Sequence, residues 1–244
     1  MKKSFLFVGV LMTVLFVSCE KVESLNALQL SDYSPAIIGK YITYDLDSTR
    51  FINFGTRDTV VHYQVKLVVE EAITDNLNRP AFRVARYIRK TASDAWQSDY
   101  HTFMLINTGS SLEFVENNMR FLKLKRPIRN DFSWKGNVYI DTHSAETPVA
   151  YLDDWDYTYE NVNEPLTLGS INLDSTITVN QRNEILNNPA DLEHYSEINI
   201  SVEKYAKGIG MVYRNFLHKE YQPPTDKPGY ALGYGITMTM IDHN

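Results

Sequence analysis

The chain predicts a mainly β protein, an antiparallel meander forming a curved sheet or half-barrel with at most one or two short helices. Three observations carry this prediction. Apolar residues recur with period two rather than 3.6, the mark of strands with one face on a core and the other in water. Turn-forming residues interrupt these runs at short intervals. The chain is also rich in aromatics, with 16 Tyr, 11 Phe and 3 Trp, and strands favour such side chains.

The chain opens differently. Met1-Lys2-Lys3 is a short positive start, and Phe5 to Val17 is apolar except at Gly9 and Thr13. Ser18 places a small residue immediately before Cys19, the only cysteine. This is the three-part pattern of a secretory signal. Its last five residues, Leu15-Phe16-Val17-Ser18-Cys19, resemble a bacterial lipobox. Residues 1–18 are therefore expected to be a lipoprotein signal peptide and Cys19 the lipid attachment site. An uncleaved anchor needs about 20 apolar residues to cross a membrane, and this run is shorter. One acyl chain binds a membrane marginally, whereas two or more hold stably. The expected location is the cell envelope, lipid-anchored, with the outer membrane favoured over the inner.

Cleavage would remove Lys2 and Lys3 from the 24 basic residues, leaving 22 against 30 acids and a formal charge of −8. That balance argues against nucleic acid, whose binding rests on phosphate neutralisation, and against a polybasic membrane patch. An acylated Cys19 leaves no thiol for disulfides, redox work or thiolate metal sites. Stability must come from an apolar core, for which the remaining length is ample.

Residues 19–32 read as a lipidated tether, polar at many positions and without a strand pattern. Val22, Leu25, Leu28 and Leu30 offer the alternative of a short helical stripe. A single β-rich domain is expected over residues 33–244. Alternation is clear in Ile42-Tyr44-Leu46, Tyr63-Val65-Leu67-Val69, Ile198-Ile200-Val202 and Tyr234-Ile236-Met238-Met240. The apolar members are expected to face the core. Further strands are expected at 81–89, 96–106, 112–115, 119–125, 134–140, 154–160, 173–179 and 211–221. Asn117-Asn118 is read as the turn of a hairpin. Two stretches break the pattern. Asn161 to Ser170 reads as a loop containing Pro165 and Gly169, and Gln181 to Glu193 as a polar stretch with a short helix ending near Asn188.

No nucleophile elbow, Walker loop or dinucleotide fingerprint is present. The six histidines, His62, His101, His143, His194, His218 and His243, show no two-, three- or four-residue pairing. They read as surface or edge residues, and no metal or cofactor is expected. Gly208-Ile209-Gly210 suits a tight bend rather than a phosphate. Trp96, Tyr100, Phe103, Phe121, Phe132 and Trp134 read as core.

The richest local cluster is Asp153-Asp154-Trp155-Asp156-Tyr157-Thr158-Tyr159-Glu160. On a strand, Asp154, Asp156 and Glu160 share one face and Trp155, Tyr157 and Tyr159 the other. The acids would suit calcium or the paired carboxyls of a glycosidase, and the aromatics would suit sugar stacking. The simpler reading places aromatics in the core and acids in water. Asp154, Trp155, Asp156, Tyr157 and Tyr159 are the candidate ligand-binding residues, and no catalytic residue is assigned.

Several phrases resemble a family of uncharacterised lipoproteins from Bacteroidota. They run from Ile38 to Ser48, Glu116 to Leu124, Ser133 to Asn137, Asp154 to Glu160, Tyr205 to Tyr213 and Ile241 to Asn244. The resemblance implies an envelope location and no particular activity. The expected function is that of an envelope-anchored lipoprotein, a non-catalytic binding or structural module for a partner protein, glycan or lipid. The alternative is a cell-envelope hydrolase using Asp153, Asp154, Asp156 and Glu160.

Overall fold

Period-two alternation is realised as twelve antiparallel strands in one sheet that curls into a nearly closed barrel. The structure, a computed structural model, describes residues 27–244; Cys19, the signal peptide and the first part of the tether lie outside the described residues. In chain order the strands are β1 (Tyr41–Ile52), β2 (Arg57–Thr74), β3 (Pro80–Arg89), β4 (Gln97–Asn107), β5 (Ser111–Glu116) and β6 (Met119–Lys125). A second set of six follows: β7 (Ser133–Lys135), β8 (Asp156–Leu168), β9 (Ile171–Leu186), β10 (Ser196–Ala206), β11 (Gly210–Gln222) and β12 (Tyr230–His243).

Each set is a meander of its own, and the order across the sheet runs β6 back to β1, then β12 back to β7. The halves join through the long β1–β12 pairing, from Ile42 opposite His243 to Arg50 opposite Tyr234. Their far edges, β6 and β7, meet through a thinner seam. Leu122 N donates to Gly136 O at 2.8 Å, and Trp134 Nε1 donates to Leu122 O at 2.7 Å. Lys125 N donates to the Tyr159 hydroxyl, which donates back to Lys125 O, both at 2.8 Å. These bonds cover part of the two edges that an open sheet would offer to other chains.

Local chemistry explains the departures from expectation. The hairpin at Asn117-Asn118 has both residues at positive φ, 51° and 62°, the mirror-image turn that matches strand twist. The stretch expected as a loop at 161–170 is mostly strand, because β8 runs on to Leu168. Bulges between Glu160 and Leu166 take up Pro165, one of the settings in which a sheet accepts proline. The expected short helix within 181–193 does not form: β9 continues to Leu186, and an Asn188–Asp191 turn follows. The strand expected over 134–140 stops at Lys135, since the chain turns at Asn137, whose carbonyl accepts from Ile140 N at 2.8 Å. Tyr100, expected in the core, is 93% exposed with φ 59°.

The face assignment fails in one strand. On β10 the buried residues are Asn199, Ser201, Glu203 and Tyr205, while Ile198, Ile200 and Val202 are only half-buried on the outside. Its polar phase points into the barrel. One short helix, α1 (Leu30–Tyr33), plugs the end of the barrel with the buried side chains of Leu30 and Tyr33. The Tyr33 hydroxyl lies 3.2 Å from Ser175 Oγ. The stretch read as tether therefore joins the core from Leu28 onward.

Candidate functional site

The residues singled out in 153–160 are placed with their two faces apart. From Asp156 to Glu160 the alternation holds on β8, with Tyr157 and Tyr159 buried and Asp156 and Glu160 exposed. Asp154 precedes the strand in a turn at φ 54°. Asp154 and Asp156 both reach Lys135, at 2.7 and 2.8 Å, on the outer surface. The hydrogen bond and charge of Lys135 hold the Asp154 carboxyl below its usual range. Asp153 accepts from the Thr142 hydroxyl at 2.7 Å, and Glu160 accepts from Asn180 Nδ2 at 3.0 Å. The aromatics are engaged inside: Trp155 Nε1 donates to Tyr151 O at 2.7 Å, and the Tyr157 hydroxyl donates to Asn137 Oδ1 at 2.8 Å. Tyr159 belongs to the seam. Of the five candidates, Trp155 and Tyr157 reach the lumen.

What they meet there was not legible as a motif. Four charged side chains cross the lumen from one half of the barrel to the other. Lys123 of β6 binds Glu203 of β10 at 2.6 Å, and Glu116 of β5 binds Arg214 of β11 at 3.2 Å. Arg214 Nε also lies 3.6 Å from Glu203, and the Tyr205 hydroxyl donates to Glu203 Oε2 at 2.6 Å. Two cations and two anions make the layer neutral as a whole. Burial pushes the Glu203 carboxyl up, but Lys123 and Arg214 more than offset this and its pKa falls below the ordinary value. Glu116 follows the same logic, with Arg214 and Lys123 outweighing its burial. Both acids stay ionised inside the protein.

The layer divides two chambers. One has a volume of about 130 Å³ and is walled chiefly by apolar side chains, among them Leu67, Val84, Leu105, Phe114, Met211 and Met238. Ser34 and Pro35, just after α1, stand at its outer end. The other, of about 250 Å³, is lined by Tyr151, Trp155, Tyr157, Gln181, Ser201 and Tyr234. Arg86, Glu116, Lys123 and Arg214 border both. Two buried donors here make no hydrogen bond within the protein, Gln181 Nε2 and Arg214 Nε, the second with the Glu203 carboxylate 3.6 Å away. Gln181 is oriented by its other end, since Oε1 accepts from Ser201 Oγ at 2.6 Å. A buried unpaired donor costs about 1–3 kcal/mol, so a chamber that gathers two is suited to a molecule bearing acceptors.

The loop between β7 and β8 caps this second chamber. Its 3-10 turn, Ala150–Leu152, presents Tyr151, whose ring stacks on His218 with centroids 3.7 Å apart. His218 is thus buried rather than a surface or edge histidine, and burial pushes its imidazole below the ordinary pKa. One signal for the lumen residues stood in the sequence: Asn199, Ser201, Glu203 and Tyr205 form a period-two row as regular as the apolar row beside it.

Neither protein-family models nor curated proteins give a match to this chain. Its class rests on architecture: a twelve-stranded antiparallel barrel of two six-stranded meanders around a divided, partly polar lumen.

Proposed function

We propose that the protein is a lipid-anchored binding module of the cell envelope. It is held at a membrane, the outer one favoured, through Cys19, and it carries a small amphipathic molecule in its barrel. The observation that carries this reading is the meeting of an apolar and a polar chamber at a buried charged layer. An apolar tail suits the side lined by Leu105, Phe114 and Met238, and an acceptor-bearing head suits Gln181 Nε2 and Arg214 Nε. Chambers of this kind, mostly apolar with a few convergent polar groups, are the usual form of a small-molecule site. The signal-like start, the lipobox and the resemblance to envelope lipoproteins support the location. The exposed carboxylates on Lys135 take no part.

Native mass spectrometry of the full chain, released from membranes in detergent, tests the binding. We expect one small-molecule adduct that leaves on denaturation and is depleted in a Gln181→Leu, Arg214→Leu double variant that retains β circular dichroism. An adduct-free mass, or an adduct unaffected by those substitutions, would retire the interior site.

A further inference from the structure

At the rim of the same barrel, β10 and β11 carry a second group of polar side chains. Glu197 and Glu220 are direct cross-strand partners, as are Asn199 and His218. Glu197 lies six residues before Glu203 on β10, about 20 Å along an extended strand, and His218 four residues after Arg214 on β11, about 13 Å, so this group stands apart from the charged layer. Two carboxylates directly opposite one another are a destabilising pair. Among the described residues no Lys or Arg bridges either of them; the ion-pair partner of Glu220 is His218.

The hydrogen bonds fix which ring nitrogen of His218 carries the proton when the ring is neutral. Asn199 Nδ2 donates to Glu197 Oε1 at 2.6 Å, so the amide oxygen is the end that faces His218. That oxygen can only accept, and His218 Nδ1 therefore donates to it at 2.8 Å. In the neutral ring the lone pair then belongs to Nε2, which lies 3.4 Å from a carboxylate oxygen of Glu220. Nε2 and this carboxylate oxygen face each other as two potential donors of electron pairs, which a proton or a metal cation between them would join. His218 is 6% exposed and held by the Tyr151 ring, so it has little room to turn away.

From this we infer that Glu197, His218 and Glu220 form a site for a divalent cation of the zinc class. One ligand atom from each comes within 4.8 Å of the others. Small side-chain rotations would bring them to the roughly 2.0–2.2 Å at which zinc holds imidazole nitrogen and carboxylate oxygen. Asn199 orients the imidazole through its second nitrogen, the role that outer partners play around metal-bound histidine. Two negative charges balance a divalent ion, and three protein ligands leave a fourth tetrahedral position open at the mouth. The imidazole selects zinc-like metals over calcium, which takes oxygen ligands.

The test is calorimetric titration of zinc chloride into the full chain in detergent after chelator treatment. One zinc per chain is expected, with binding weakened at least tenfold in Glu220→Gln and lost in His218→Ala. Calcium chloride should give no comparable uptake. Glu220 is half-buried at the rim, so Glu220→Gln keeps the fold, checked by circular dichroism, even if His218→Ala does not. Absence of stoichiometric zinc uptake, undiminished affinity in Glu220→Gln, or equal uptake of calcium would each overturn the assignment.

Discussion

Glu203 is fully buried, and its charge is tolerable only because Lys123 and Arg214 lie within 4 Å. Taking ions out of water costs several kcal/mol each, and removing one partner leaves the other uncompensated. Lys123→Met should therefore destabilise the barrel by about 3 kcal/mol, at the lower end for a broken buried pair because Arg214 remains. Adding Glu203→Gln should recover part of that loss, since the stranded charge is gone. Denaturant unfolding midpoints check both variants. A single variant as stable as the parent would mean that water reaches Glu203 freely.

Strands close this barrel unequally. The β1–β12 join is a full ladder, whereas the β6–β7 seam relies on a few bonds around Leu122, Trp134 and Gly136. Gly136 is required there by space rather than by φ. A Cβ on it would stand 2.4 Å from the ring of Tyr157, which is 1% exposed and packed against Trp134. Neither the ring nor the seam can yield cheaply, so Gly136→Ala should cost about 1–3 kcal/mol as an overpacked core position does. Its melting temperature should fall further than that of Gly169→Ala, where a Cβ meets nothing within 4 Å and only the left-handed φ of 57° is strained. Equal melting temperatures for Gly136→Ala and the parent would show the seam to be loose. α1 works as a plug, burying Leu30 and Tyr33 in the same core as Trp134 and Tyr159 of the seam.

At the scale of the molecule, both ion pairs of the lumen run between the two six-stranded halves, Lys123 and Glu116 from the first, Glu203 and Arg214 from the second. The chambers exist only where the halves face each other. The plug also sets where the barrel meets the residues that precede it, because the chain enters the core from Leu28. If Cys19 carries the acyl groups, Cys19→Ala should move the protein from the membrane pellet to the soluble fraction and leave its β circular dichroism unchanged. Continued sedimentation with membranes would disprove anchoring through this residue.

The sequence alone determined the class of fold and the positions of most of the strands and turns. Period two and the Asn, Gly and Pro punctuation are local properties, set by backbone geometry and by one neighbour at a time. It also placed Tyr157 and Tyr159 inside and Asp156 and Glu160 outside, since β8 obeys the usual segregation of apolar and polar faces. Only the tertiary structure decided which face of β10 turns inward. Alternation is symmetric under a one-residue shift of phase, and a lumen containing Lys123, Arg214 and Tyr205 repays the burial of Glu203 as water would. The partner of Glu203 at Lys123 comes from a strand whose meeting with β10 no single stretch of sequence records. The chambers follow from the curvature that brings those strands together, whereas the rim group of Glu197, His218 and Glu220 needs only the pairing of the β10–β11 hairpin.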